Sequence, residues 1–239
     1  MILIPSNGIE LDLLVMDHNA WSQKYLEYSF NDVGLLTKAL THKSVAKQNN
    51  ERLEFVGDSI LGMIISMDIY NMRPNEAEGG LTRLRAHMVN GNKLASIAQR
   101  LFLGDQIILG QGELKSGSYH RKSILSNCFE AVIGAVYIDG GFGAATDVIT
   151  RVYLEEFNNL PESDTLKDAK TKLQEHLQKK GGPVPEYLLV SSHGKAHQRS
   201  FKVVCSDIMS GKEVNATDTS IKKAEQKAAE AMLNEFIND

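Results

Sequence analysis

The stretch Glu51–Leu61, ERLEFVGDSIL, sets three carboxylates into an otherwise apolar run: Glu51, Glu54 and Asp58. On a helix advancing about 100° per residue these positions share an arc of roughly 60°. Leu53, Val56, Ile60, Leu61 and Ile64 occupy the rest of the circumference. The segment reads as a largely buried helix carrying one stripe of negative charge. Like charges placed this way are unfavourable unless something positive compensates them, and a divalent cation is the usual compensation. Oxygen donors without a nearby Cys or His select magnesium or manganese over zinc. An ordinary solvated acidic face is the alternative. Glu51 fits that alternative, because an acid near a helix start complements the dipole and Asn49 or Asn50 is placed to cap. Asp58 does not fit it. It lies two turns in and follows Gly57, which costs about 1 kcal/mol relative to Ala in a helix interior and so marks a close backbone approach.

A second apolar segment, residues 122–138 (KSILSNCFEAVIGAVYI), has helical spacing through Ile124, Leu125, Phe129, Val132, Ile133 and Val136. Asn127 and Glu130 are three apart in it and share a face. Gly134 and Ala135 would let a partner helix approach. A core helix presenting an amide and a carboxylate needs a reason, because unpaired buried polar groups are costly. Two such helices packed together would form a ring of oxygen donors from Glu54, Asp58, Asn127 and Glu130, a hard-cation site.

These segments resemble the bacterial ribonuclease III family, whose signature helix is similar to ERLEFVGDSIL almost letter for letter. The resemblance continues in order through ALTHKS (Ala39–Ser44), EGGLTRLRA (Glu78–Ala86), LGQGELKSG (Leu109–Gly117) and KSILSNCFEAVIGAVYIDGG (Lys122–Gly141). It implies a homodimeric, Mg2+-dependent endonuclease of double-stranded RNA, with Mn2+ able to substitute. Implied products carry 5′-phosphate and 3′-hydroxyl ends, and ribosomal-RNA precursors are the implied substrates. By matched position Glu54, Asp58 and Glu130 are metal ligands, with Asp58 and Glu130 also catalytic, and Glu51 and Glu78 are additional acids of the cleft. The aromatic at Phe55 inserts into the partner subunit in such dimers. One position departs from the family pattern: Asn127 stands where Asp is usual. Asn keeps an oxygen ligand but loses a charge, and its NH2 group could turn towards a carboxylate such as Glu130. A double-stranded-RNA-binding regulator with weak or no cleavage is therefore the alternative function.

Net charge is −4, unusual for a nucleic-acid binder, but the chain is uneven. Residues 1–165 hold 14 Lys+Arg against 20 Asp+Glu, a net −6, and residues 166–239 hold 12 against 10, a net +2. The acidic excess goes with the carboxylate helices. Helical spacing over Val33–Leu40, Glu51–Tyr70, Leu81–Arg100, Ser123–Tyr137 and Ala144–Phe157 predicts an all-α domain over residues 21–157, with residues 1–20 unassigned and a polar linker at 158–165. Residues 166–239 follow the order helix (Ala169–Gln178), strands (Glu186–Ser191, Ser200–Cys205, Lys212–Thr217) and helix (Ser220–Phe236). This α-β-β-β-α order resembles the double-stranded-RNA-binding domain, which reads A-form shape. The resemblance implies RNA contacts from Thr171, Gln174, Glu175 and Gln178 on the first helix, from His197 in the HGKAHQ loop, and from Ser220, Lys222 and Lys223 at the last helix start, where cations and backbone N–H groups favour phosphate.

Cys128 and Cys205 lack metal-type spacing and read as free buried thiols of a reducing compartment. With no membrane-length apolar run and an interrupted, non-basic start at Met1–Val15, the expected location is the cytoplasm, off the membrane. His42 is expected to be a structural hydrogen-bonding residue and His18 a solvated one.

Overall fold

The computed structural model describes residues 18–195 and 198–238, and the chain divides into two compact units at Ser163/Asp164. His197 lies outside the described residues.

The first unit is helical: α1 (18–25), α2 (Val33–Leu40), α3 (Glu51–Met72), α4 (Glu78–Met88), α5 (Gly91–Arg100), α6 (Gln111–Lys115), α7 (Lys122–Val152) and α8 (Leu154–Asn158). Its centre is the crossing of α3 with α7. A Cβ on Gly57 would overlap the Glu130 carbonyl oxygen, and a Cβ on Gly134 would overlap that of Leu53. The two glycines therefore let the helix backbones touch, which is the close approach expected of Gly57. Leu61, Ile64, Ile65 and Ile69 of α3 are buried against a core shared with Phe129, Val132, Ile133 and Val136 of α7. α7 has the length and mean hydropathy (1.3) of a membrane-crossing segment. That hydropathy is spent on the core.

Two local readings are corrected and one break is located. The single helix expected over Leu81–Arg100 is two, because the Asn90 side chain accepts from the Lys93 N–H at 3.0 Å and starts α5 anew. The break expected between Ser123–Tyr137 and Ala144–Phe157 is present inside α7: Gly141 has non-helical dihedrals (φ 77°, ψ −172°) and kinks the segment there, a positive φ that glycine alone adopts freely. His18 is buried rather than solvated, at 3 % exposure. The reason is that α1 docks on the core: Trp21 and Ser22 are buried with His18, and Trp21 Nε1 donates to the Leu101 carbonyl at 2.7 Å.

The second unit comprises α9 (Ala169–Lys179), β1 (Glu186–His193), β2 (Ser200–Asp207), β3 (Lys212–Asp218) and α10 (Ile221–Asn238). Its sheet is antiparallel in the order β1-β2-β3, with Leu189 opposite Val203 and Cys205 opposite Val214. Both helices bury one face against one side of it: Leu173, Leu177, Cys205, Ala228, Ala229 and Met232 form the core. The small Ala residues of α10 let it lie close, which explains its composition. This is the α-β-β-β-α order expected from the sequence.

Candidate active site

Asn49, rather than the buried Asn50, opens α3: its Oδ1 accepts the Glu51 N–H at 3.0 Å. From there the stripe follows helical periodicity. Glu54 is half-buried, while Glu51 and Asp58 are exposed. The glycine crossing sets α7 alongside, and half-buried Glu130 meets the stripe. Burial first, then the Asp58 and Glu54 carboxylates, push the Glu130 carboxyl up to about 7. Glu54 is also raised, by burial first, against a hydrogen bond from Asn127, with Glu51 and Asp58 raising it further and Lys43 opposing them. The three acids therefore share one electrostatic environment, in which Lys43 opposes the rise of Glu54.

Asn127 is exposed at the rim. Its amide bonds Glu54, not Glu130, and its Oδ1 accepts the Ser126 hydroxyl at 3.3 Å. Among the described residues no three His, Cys, Asp or Glu side chains are drawn together tightly enough to hold a metal ion unaided. The carboxylates are hard oxygen donors of the right kind, but they form an open set. Glu78 opens α4, where its Oε1 accepts the Thr82 hydroxyl at 2.8 Å.

Beside the carboxylates lies a cavity of about 430 Å³ lined by His42, Lys43, Glu51, Glu54, Ser123 and Asn127, among others. Sequence reading quoted His42 and Lys43 within ALTHKS yet gave them no place in the site. Their position depends on a long-range contact: the His42 N–H donates to the Ile108 carbonyl at 3.0 Å, and the Gly110 N–H to Ser44 Oγ at 2.9 Å. His42 Nδ1 pairs with Ser44 Oγ at 2.9 Å, the hydrogen-bonding role expected of it.

Residues 32–157 match the family described as Ribonuclease-III-like, and residues 169–236 match the double-stranded RNA binding motif. Proteins named Ribonuclease 3 are 46 % identical in Alkalilimnicola ehrlichii, over 88 % of this chain and 92 % of that one, and 45 % identical in Haemophilus influenzae (strain PittEE), over 92 % and 99 %.

The chain belongs to the ribonuclease III family.

Its first unit is similar to the solved nuclease domain of ribonuclease III from Campylobacter jejuni, with 40 % identity, a TM-score of 0.56, and coverage of 58 % of this chain and 97 % of that one. That structure is described for flexibility in a region involved in dimer formation. As a ribonuclease III, the chain is an endoribonuclease, a hydrolase of phosphodiester bonds, with a double-stranded-RNA-binding domain attached.

In that attached domain, Thr171 and Glu175 are half-buried on α9, and Gln174 and Gln178 are exposed. Glu175 is held by Lys167 at 2.7 Å. Ser220 caps α10, its Oγ accepting the Lys223 N–H at 3.3 Å, and Lys222 and Lys223 are exposed beside it.

Proposed function

We propose that this chain is a homodimeric, Mg2+-dependent endonuclease of double-stranded RNA, acting in the cytoplasm on structured transcripts such as ribosomal-RNA precursors. The observation that carries the reading is the gathering of Glu54, Asp58 and Glu130 at a glycine-to-glycine helix crossing, where burial and mutual repulsion raise Glu130 and Glu54. Glu54, Asp58 and Glu130 would hold the metal, with the Asn127 carbonyl or oxygens of the RNA completing its shell. A divalent cation held there supplies positive charge to the phosphate and lowers the pKa of the attacking water. Asp58 and Glu130 orient that water, and a carboxylate oxygen accepts its proton. The new P–O bond forms as the bond from phosphorus to the 3′ oxygen breaks; that oxygen takes up a proton from solvent, and the carboxylate returns its own to solvent, giving a 3′-hydroxyl and a 5′-phosphate.

Dimerisation is supported by the outer face of α3, where Phe55 (76 % exposed), Met63, Met67 and Tyr70 form an uncovered apolar stripe. An apolar stripe of this kind on a helix calls for a partner surface. Thr171, Gln174, Glu175, Gln178, His197, Ser220, Lys222 and Lys223 would contact the duplex.

The binding-only alternative draws support from Asn127, whose amide is engaged with Glu54. One experiment separates the two readings. Labelled duplex RNA should be cut with Mg2+, left intact but bound in chelator, and bound but cut at least about a hundredfold more slowly by Glu130→Gln. No cutting by the wild-type chain at any Mg2+ concentration would leave the binding-only reading.

A further inference from the structure

The cavity next to the carboxylates poses an electrostatic problem. RNA brings negative charge to a unit that is itself net −5 over residues 1–163 and whose cleft gathers carboxylates. Cation at the metal site answers for the scissile phosphate alone. The flanking phosphates need their own partner.

Lys43 is placed to be that partner. It lines the cavity together with Glu54 and Asn127, two of the residues that border the carboxylate group. Its Nζ is held by Glu51 Oε1 at 3.2 Å, with the two side chains 63 % and 55 % exposed. An ion pair this exposed contributes about 0–1 kcal/mol, too little to explain the arrangement as a stability device. The segment that carries Lys43 is nevertheless fixed with unusual care. Thr41 bridges Ile108, the Ile108 N–H donates to Leu40 at 2.8 Å, the Gly110 N–H to Ser44 at 2.9 Å, and the Asn50 N–H to the Thr41 carbonyl at 2.9 Å. The backbone around the lysine is thus pinned on both sides, and Glu51 biases the side chain towards the cavity residues it lines with. The backbone that carries this cation is fixed beside the cavity before substrate arrives, so less ordering is left for binding.

We propose that Lys43 binds a backbone phosphate of the duplex adjoining the scissile one, and that Glu51 serves to seat Lys43 rather than to ligate metal. The inference rests on the endonuclease reading above and assigns a substrate contact within that site. Ammonium–phosphate pairing needs no base identity, so the contact adds affinity and register without sequence preference. Lys43 then offsets the repulsion between the acidic cleft and the strand threading past it, while Glu54, Asp58 and Glu130 remain free to serve the metal.

The test compares full-length wild type, Lys43→Ala and Lys43→Arg in steady-state cleavage of a uniform RNA duplex across a series of salt concentrations at fixed saturating Mg2+. A phosphate contact releases counterion, so Lys43→Ala should flatten the slope of log(kcat/KM) against log[salt] by about 1. KM should rise about five- to tenfold with kcat within about twofold, the loss of one charge-assisted hydrogen bond. Lys43→Arg, which keeps the charge, should restore the slope. An unchanged slope in Lys43→Ala, or a KM defect shared equally by Lys43→Arg, would show a structural role and overturn the proposal while leaving the endonuclease reading intact. Failure of the wild type to cut duplex RNA would instead remove the reading itself, and this inference with it.

Discussion

In the RNA-binding unit, the Lys227 side chain, followed by the Thr219 N–H, holds the Asp218 carboxyl down at about 2, whereas in the nuclease unit burial and two neighbouring carboxylates push Glu130 up to about 7. Asp207 repeats the first pattern: the Ser210 hydroxyl, against some burial, and the Met209 and Ser210 N–H groups keep it below the usual aspartate range. Glu54 repeats the second. Asp139 shows that partners, not location, decide. It sits in the nuclease unit where burial raises it, yet the Tyr28 hydroxyl and the Asn31 and Asp32 N–H groups bring it below its ordinary value. Acids that close turns are satisfied within the chain. The acids of the α3–α7 crossing are left facing one another, which is the signature of a group kept for chemistry.

The most forceful way to break this contrast is to separate the helices. Gly57→Ala places a methyl against the Glu130 backbone carbonyl and should destabilise the nuclease unit by about 3 kcal/mol, with loss of cleavage. The thermal transition of the RNA-binding unit should stay where it is. Calorimetry of the full chain checks both; a nuclease transition within about 1 kcal/mol of wild type would mean the crossing is looser than its geometry.

A milder change sharpens the contrast by adding one more unsatisfied acid. Asn127→Asp removes the amide donor that Glu54 now has and supplies another charged ligand. The Mg2+ concentration for half-maximal cleavage should fall roughly tenfold, with RNA affinity in chelator unchanged. Coincident magnesium titrations of the two proteins would show that Asn127 is an adequate ligand.

The smallest effect is in the pH dependence of stability without metal. Glu130 has a folded value raised from 4.5 to about 7, so its contribution is complete below about 4.5 and is lost as pH rises through about 7. Asp218, lowered from 3.8 to about 2, contributes above about 3.8 and loses that contribution as pH falls towards 2. Glu130→Gln should therefore flatten the nuclease unit's decline in melting temperature between pH 4.5 and 7, and Asp218→Asn should flatten the RNA-binding unit's decline between pH 4 and 2. Indistinguishable profiles for variant and wild type in either window would refute the corresponding assignment.

Much of this was legible along the chain. The 3.6-residue period placed Glu51, Glu54 and Asp58 on one face, the cost of Gly57 inside a helix signalled a close contact, and the α-β-β-β-α order of the second unit followed from the change to strand-like segments from Glu186 onward. These are local properties, and local propensity writes them directly into sequence. Helix continuity was legible in part: the kink at Gly141 falls in the gap expected between two helices, while the cap at Asn90 splits an apolar run that reads as one helix. What only the tertiary structure decided were the pairings across long separations. Gly57 meets Glu130 and Gly134 meets Leu53, α1 draws His18 into the core, and Ile108 and Gly110 pin the loop that presents Lys43 beside Glu51. No spacing rule encodes such contacts, because they depend on which faces pack together; the sequence supplied the acids and the lysine, and the packing of α3 on α7 made them neighbours.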